Sequence, residues 1–377
     1  MPKILHLADL HLDSPFRGHS PAESEKRRLA MRQTFASLIA YIRTNRIPLA
    51  LIAGDLFDAV VTGETAAFVI EQIALAADCH FVIAPGNHDP MRAGSVYETM
   101  RFPENVTVFS HASLERVSLP ALGVTVYGYA FTDRSLTPSP LLGQRAEEDD
   151  TLHLLCAHAE IGAPLSPYAP ITEADIEALG MDYCAFGHVH TYSGLKRVGK
   201  TYYAYSGCFE GRDFGELGEK GAVLLDIEKE NGSLRVSAEW LRFSRYRYES
   251  ASVDLSGVTE NAEAAERIRT CLKQGSYGED TLLRLRLQGS VSPSLSLDIA
   301  AWRQTFAASV FYLEIEDATL PLYDVAALEK DVGIRGAFFA EMRPLLEAGT
   351  PEERVEAARA LRVGLAALHG EDFTAIE

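Results

Sequence analysis

The chain has 377 residues, 47% of them hydrophobic, which is enough for two or three domains with cores of their own. Its 53 acidic residues outnumber 35 Lys and Arg, and a net charge of −18 argues against a protein that coats nucleic acid by bulk electrostatics. A nuclease is not excluded, because metal sites are themselves built from carboxylates.

In chain order, apolar runs at 3–8, 49–53, 80–84, 152–157 and 183–186 read as buried strands. Residues 21–46 and 64–77, between the first three, have helical spacing, with Leu29, Phe35, Leu38, Ile39 and Ile42 as the inner face of the first helix. The run Lys26-Arg27-Arg28 within it reads either as a basic lip beside an acidic site or as a solvated helix face. Residues 106–129 alternate in the manner of half-exposed antiparallel strands, so the sheet is expected to change character there. The fold class is therefore α/β, a two-sheet sandwich flanked by helices. Residues 194–240 continue as hairpins turning at Gly199-Lys200 and at Glu230-Asn231-Gly232, which closes a first domain over 1–245.

A small α+β module follows at 246–320, with strands at 248–255, 281–287 and 310–316 and helices at 259–273 and 295–307. Residues 321–377 turn helical. There Thr350-Pro351-Glu352-Glu353 supplies a cap, a proline for the first turn and a capping-box glutamate, for a helix reaching about His369. Its apolar stripe of Val355, Ala358, Leu361, Leu365 and Leu368, with Phe338, Phe339, Met342, Leu345 and Leu346 before it, must be buried on its own fold or on a partner. No run of eighteen uncharged apolar residues occurs, and the apolar start is interrupted too early for a signal peptide, so a cytoplasmic protein with no membrane span is expected. Cys79, Cys156, Cys184, Cys208 and Cys271 lie far apart without a C-x-x-C pair, which predicts reduced, mostly buried thiols.

Polar groups recur where the apolar strands give way to loops. Asp9 and His11 follow the first strand as D-L-H, and Asp55 follows the second in G-D-L-F-D. Asn87 and His88 follow the third in A-P-G-N-H-D, His158 follows the fourth, and His188 and His190 follow the fifth as G-H-V-H. Ligands in α/β sheets collect outside the carboxyl ends of strands, so residues far apart in sequence can converge there. Converging carboxylates and desolvated polar groups must be paired, and two divalent metals would pair them. Each element alone is weak, and His6 or His153 reads as a satisfied core histidine, but five such elements in order at strand ends point to metal.

D-x-H, G-D-x-x-D, G-N-H-D, a lone His and G-H-x-H, in this order over about residues 1–240, resemble the calcineurin-like metallophosphoesterase superfamily. The resemblance implies that Asp9, His11, Asp55 and His190 hold one metal and Asp55, Asn87, His158 and His188 the other, with Asp55 bridging. It favours manganese, while the mixed imidazole, carboxylate and amide donors also suit Fe or Zn. Two such metals lower the pKa of a shared water and clamp phosphoryl oxygens, which makes hydroxide the expected nucleophile. His88 is then expected to protonate the leaving oxygen or stabilise charge on the phosphorane, with Asp89 orienting its ring and Gly86 leaving room for the backbone to approach.

Within the superfamily, the opening I-L-H-L-A-D-L-H-L-D and the stretch Y-S-G-C-F-E-G-R-D-F-G-E-L-G-E-K-G at 205–221 are similar to bacterial DNA repair exonucleases of the SbcD and YhaO type. The chain departs from that pattern at Cys208-Phe209-Glu210 and at Asp58, where archaeal and eukaryotic relatives often carry a histidine. Arg212 and Lys220 read as phosphate contacts or as parts of a salt-bridged hairpin loop. Residues 246–320 resemble a capping domain, and Arg242-Phe243-Ser244-Arg245-Tyr246-Arg247-Tyr248 at its entry reads as a phosphate track or as edge-strand alternation. The resemblance implies a Mn-dependent exonuclease acting on DNA ends with an SMC-like ATPase partner of the SbcC or YhaN type on its C-terminal helices, and a homodimer is compatible with it. The alternative is a small-molecule phosphodiesterase or phosphatase with the same metals. A non-catalytic recruitment factor is disfavoured by the intact ligand set and His88.

Overall fold

A computed structural model of the chain describes residues 3–16, 20–230, 233–292, 295–322 and 325–369, and divides it into two compact units, Met1–Arg247 and Tyr248–Glu377. The first unit begins with β1 (Lys3–Leu7), α1 (Pro21–Asn45), β2 (Leu49–Ile52), α2 (Gly63–Leu75), β3 (His80–Ile83), a one-turn α3 (Val96–Thr99) and β4 (Val106–Val108). It continues with β5 (Glu115–Leu119), β6 (Val124–Gly128), β7 (Leu152–His158), α4 (Glu173–Leu179), β8 (Tyr183–Gly187), β9 (Lys196–Val198), β10 (Thr201–Tyr205), β11 (Gly221–Glu230) and β12 (Ser233–Arg242).

Two six-stranded sheets result, ordered β12-β11-β1-β2-β3-β4 and β5-β6-β7-β8-β10-β9. Their facing sides share one core of Ile4, Leu49, Leu51, Val82, Val126, Leu154, Cys156 and Val223. A second core packs α1 and α2 onto the outer face of the first sheet, and a third packs α4 onto the second. The α1 helix starts at a capping box, in which the Glu23 N–H donates to Ser20 Oγ (3.3 Å) and the Ser20 N–H to Glu23 Oε2 (2.8 Å). It buries Met31, Phe35, Leu38, Ile39 and Ile42. Leu29, expected on that face, is 50% exposed, since six residues place it roughly 120° around the helix from Phe35.

The sheet changes character where the sequence indicates, but not in the way it indicates. Of the strands over residues 106–128, β5 and β6 pair antiparallel with each other, while β4 runs parallel to β3 and β6 parallel to β7. All of β6 is buried, and Thr125 supplies the polar beat of its apparent alternation from inside, its hydroxyl 3.4 Å from that of Thr151. Of the two hairpins, Gly199-Lys200 joins β9 to β10 as expected. The β11–β12 hairpin is antiparallel from Gly221↔Arg242 to Glu230↔Ser233, and its turn residues Asn231 and Gly232 lie outside the described residues.

The second unit contains β13 (Arg247–Asp254), α5 (Asn261–Gln274), β14 (Thr281–Gln288), β15 (Ser290–Val291), α6 (Ile299–Phe306), β16 (Tyr312–Asp317) and β17 (Leu320–Pro321). It ends in α7 (Val325–Lys330), α8 (Ile334–Ala348) and α9 (Pro351–His369). The sheet β13-β14-β16 packs Leu285, Leu313 and Ile315 against Ile268, Trp302 and Phe306 of the helices. Thr350 and Glu353 form the expected capping box, with N–H donations of 2.8 and 3.2 Å. Of the expected α9 stripe, Ala358, Leu361 and Leu365 are buried, Leu368 is 39% exposed, and the side chain of Val355 lies outside those described. Leu361 and Leu365 share a small core with Leu328 and Phe339, so the stripe is largely used within this unit.

Candidate metal centre

The parallel strands of both sheets end on the same edge of the sandwich. Asp9 and His11 lie just past β1, Asp55 past β2, and Asn87 and His88 past β3; His158 closes β7, and His188 and His190 follow β8. The sheets approach closely there. A Cβ on Gly187 would stand 1.9 Å from the Ala53 carbonyl oxygen, and the next N–H, of His188, donates to both carboxylate oxygens of Asp9 at 3.1 and 3.2 Å. Gly86 makes room for a carboxylate rather than for a ligand's backbone approach, because a Cβ at this position would lie 2.1 Å from Asp55 Oδ1. Asp9, His11, Asp55 and His188 all sit in the left-handed region, with φ of 52°, 45°, 51° and 101°. Non-glycine residues held this way cost on the order of 1–3 kcal/mol each and cluster at functional sites.

The polar atoms of the site converge closely. His158 Nδ1–H donates to the Ala53 carbonyl (3.1 Å), so its Nε2 carries the lone pair, yet Nε2 faces Asn87 Oδ1 at 2.9 Å and Asp55 Oδ2 at 3.6 Å. His190 Nδ1 lies 2.5 Å from Glu216, which leaves its Nε2 to face His11 Nε2 at 3.4 Å and Asp9 Oδ1 at 3.7 Å. Imidazole nitrogens and carboxylate and amide oxygens crowd together here, and His11 Nδ1 is buried with no hydrogen-bond partner among the described residues. Cations between them would resolve this, and the mixed N and O donors suit a divalent transition metal. Two groups of atoms close enough to hold one are Asp9, His11 and His190, and Asp9, Asp55 and His158. Asp55 Oδ2 stands 3.6 Å from both His11 Nε2 and His158 Nε2.

Burial and its neighbours push the site's protonation apart. Burial raises the Asp9 carboxyl, against the pull of His190 and His158. Burial holds His11 well below the usual histidine range, helped by Arg212 and the neighbouring histidines. His188 is held down at about 4 by burial and by His158; it stands at the edge of the cluster, its ring 5.2 Å from that of His158 and its Nε2 3.5 Å from Glu160.

The expected partner of His88 is corrected. Asp89 points away from it, accepting from the N–H groups of Phe57 (2.9 Å) and Gly86 (2.8 Å) and from the Tyr97 hydroxyl (2.5 Å). It staples the G-N-H-D turn to the G-D-L-F-D turn, and burial together with Asp55 pushes its carboxyl up to about 7. The carboxylate beside His88 Nδ1 is Asp58, at 3.2 Å, and this hydrogen bond raises the pKa of His88 against the effect of burial. The His88 N–H itself donates to Asp55 Oδ1 (2.9 Å), so the ligand turn and the histidine are fixed together.

The 206–220 loop completes the site. Glu216 accepts from His190 and from the Arg212 guanidinium (3.0 Å) and backbone N–H (2.8 Å), and these partners overcome burial to bring its carboxyl down to about 2. Arg212 also lies 3.2 Å from His190 Nδ1, and its ion pair with Glu216 is the salt-bridged arrangement that the sequence offered as the alternative to a phosphate contact. Lys220 does not fit the expected phosphate contact, because its side chain is buried and its backbone is tied to Phe243 and Ser244. The loop hangs on α1. Arg27, fully buried rather than part of a basic lip, donates to the Gly211 carbonyl and pairs with Glu210 at 3.6 Å, while Thr34 and the Arg245 N–H also bond Glu210. The aromatics at 243–248 are packing groups rather than a stacking track: Phe243 lies against Tyr41 and Phe209, Tyr246 lies under Arg27, and Tyr248 is buried. Sequence reasoning missed Glu160 and Glu216 as carboxylates beside ligand histidines, and Asp58 as the partner of His88; each lies in a loop or turn adjoining a motif.

The family described as calcineurin-like phosphoesterase matches residues 2–192. The chain belongs to this family. It is similar to the uncharacterized metallophosphoesterase YhaO of Bacillus subtilis, 30% identical over 76% of this chain and 72% of that protein. It is also similar to the DNA double-strand break repair protein Mre11 of Methanopyrus kandleri, 26% identical over 71% of this chain and 62% of that one. Calcineurin-like phosphoesterases use a dimetal site, and the clustered carboxylates and imidazoles above are the candidate ligands for it here. Among the described residues no helix is long and apolar enough to cross a membrane.

Proposed function

We propose that this chain is a metal-dependent nuclease that hydrolyses phosphodiester bonds at DNA ends. The observation that carries the reading is the convergence of Asp9, His11, Asp55, Asn87, His158 and His190 at the strand ends, their ring nitrogens and oxygens 2.9 to 3.7 Å from one another. In this reading Asp9, His11, Asp55 and His190 hold one cation and Asp55, Asn87, His158 and His188 the other, the midway position of Asp55 suiting a shared ligand. A bound pair, manganese by preference, supplies an activated water and positive charge for the phosphoryl oxygens.

The chain's own groups do the rest. His88, steered by Asp58, whose hydrogen bond favours its protonated form, holds a proton for the leaving oxygen at the open side of the cluster, where its side chain is 40% exposed. Arg212, held flat by Glu216, offers a guanidinium to a non-bridging oxygen. Glu216 and the Ala53 carbonyl fix the tautomers of His190 and His158, as groups behind metal ligands do. DNA as substrate rests on the likeness to Mre11. An SMC-like ATPase docking on α8 and α9 is the proposed partner.

The test is hydrolysis of end-labelled duplex and single-stranded DNA beside bis(p-nitrophenyl) phosphate, with manganese and with EDTA. Release of nucleotides that EDTA stops is expected. Turnover of the small diester with none of the DNA would replace this reading with a small-molecule phosphodiesterase.

A further inference from the structure

A cleft of about 810 Å³ opens beside His88, between α2 and the segment from Pro90 to Met100. His88 and Asp58 belong both to its lining and to a cluster with His11, so the cleft starts where the proposed acid stands and leads away from the metal ligands. Val61, Ala66, Ala67, Ile70 and Met100 give its floor apolar side chains within a lining that is otherwise largely polar, and its volume lies in the range of small-ligand sites. Among the described residues that line it, Arg92 is the one with a permanent positive charge; it is exposed, and its guanidinium makes no ion pair with a described residue. At the start of α2 next to it a carboxylate is already in place, since Asp13 accepts from the Thr62 N–H (2.7 Å) and hydroxyl (2.8 Å). An anion entering the cleft would therefore be met by Arg92 and not by the helix.

We propose that this cleft takes the leaving-group side of the substrate: the nucleoside whose oxygen His88 faces lies on the apolar floor, and Arg92 meets the next phosphate along the strand. The inference rests on the phosphodiesterase reading above. The logic is positional. In hydrolysis the water oxygen bonds to phosphorus, the bond from phosphorus to the leaving oxygen breaks, and that oxygen takes the proton from His88. Whatever is attached to that oxygen must extend past His88, and the cleft is the space adjoining it. The floor rewards a nucleoside over a bare hydroxyl, which makes diesters with a large leaving group better substrates than small ones.

Two variants keep the metal site and the fold. Ala67 is exposed on α2, so Ala67→Trp fills the cleft without entering a core, and Arg92→Ala removes the charge alone. The readouts are kcat/KM for a dinucleotide, a trinucleotide and the p-nitrophenyl ester of thymidine 5′-phosphate, together with the binding of a fluorescent single strand in EDTA. Ala67→Trp is expected to lower kcat/KM for both oligonucleotides by about tenfold, since it displaces an apolar contact, and to lower that of the p-nitrophenyl ester by less, since its single-ring leaving group enters the same cleft but covers less of the floor. Arg92→Ala is expected to lower the trinucleotide value and the strand affinity by roughly tenfold, as for a charged hydrogen bond, but not the dinucleotide value, which has no second phosphate on that side. If wild type cleaves oligonucleotides and both variants match it on every substrate, the cleft assignment is overturned and the nuclease reading stands. A wild type that cleaves the p-nitrophenyl ester but no oligonucleotide overturns both.

Discussion

Two neighbouring carboxylates, Asp58 and Asp89, have exchanged the roles that sequence adjacency suggests. Asp89 is next to His88 in the chain, but a tight turn sends successive side chains apart, and its oxygens are used by three donors that close the turn. Asp58 arrives from the β2 loop and meets His88 in space. His88→Ala should therefore keep both metals and lose about 10²- to 10⁴-fold in turnover, the usual share of a general acid; metal analysis beside kcat checks it, and a near wild-type rate would remove the role. Asp58→Asn should lower kcat in the same direction with KM little changed. Asp89→Ala should instead act on stability, by about 1–3 kcal/mol for buried donors left without an acceptor, read from urea unfolding. Asp55→Asn should reduce occupancy of both metals, and two ions still bound at full stoichiometry would contradict the shared ligand. The proposed ligands were legible because each sits at a strand-to-loop junction within a short motif. The positive φ angles that aim Asp9, His11, Asp55 and His188 were not, because Asp and His carry no mark of which of them folds left-handed.

At the scale of elements, sequence shows which strands are buried more clearly than which way they pair. β1, β2, β3, β7 and β8 are predominantly apolar and were readable as buried, whereas Thr125 inside β6 imitates an exposed position. Hydrogen bonding, not polarity, decides where such a residue goes. His6 in β1 makes the same point, with Nε2–H donating to the Phe186 carbonyl (3.1 Å) and Nδ1 accepting from the Tyr183 hydroxyl (2.9 Å), between the two sheets. Burial drives its pKa down to about 3, so between that value and the usual 6.5 the unfolded chain binds a proton that the folded chain refuses. The stability that neutral His6 allows is therefore present above about pH 6.5 and is lost as pH falls towards 3, with a slope of about 1.4 kcal/mol per pH unit. Other buried groups titrate in this range, so the measurement is a difference. Wild type minus His6→Gln, each unfolded in urea between about pH 6 and pH 4, should show that slope. Parallel curves would mean that His6 is protonated in the folded state.

For the whole molecule, the question is what the C-terminal helices leave uncovered. The stripe of α9 that sequence offers to a partner is spent on α8, with Leu361 and Leu365 each 2% exposed against Phe339 and Leu328. Other apolar side chains are left outside. Of fifteen large hydrophobics exposed among the described residues, eight fall between Leu320 and Leu368, including Val332 at 105% and Ile334 at 70%. Contiguous exposed apolar patches are where partners bind, so these positions are the ones at which the proposed docking is tested. Helical periodicity could show that a stripe must be buried but not which of two faces meets its own chain, since that depends on the loop that folds α9 back on α8. Removing the helices is therefore a poor test, because it also removes a core. Leu361→Ala should lower stability by about 2–5 kcal/mol, as for other core leucines, and would weaken any partner only through unfolding. Ile334→Glu combined with Leu345→Glu changes exposed positions alone, and should leave the melting temperature and manganese-dependent hydrolysis of short DNA unchanged while abolishing co-purification with the SMC-like ATPase. A double variant that still co-purifies would move the docking surface off α8, and a wild type that never does would remove the partner from the proposal.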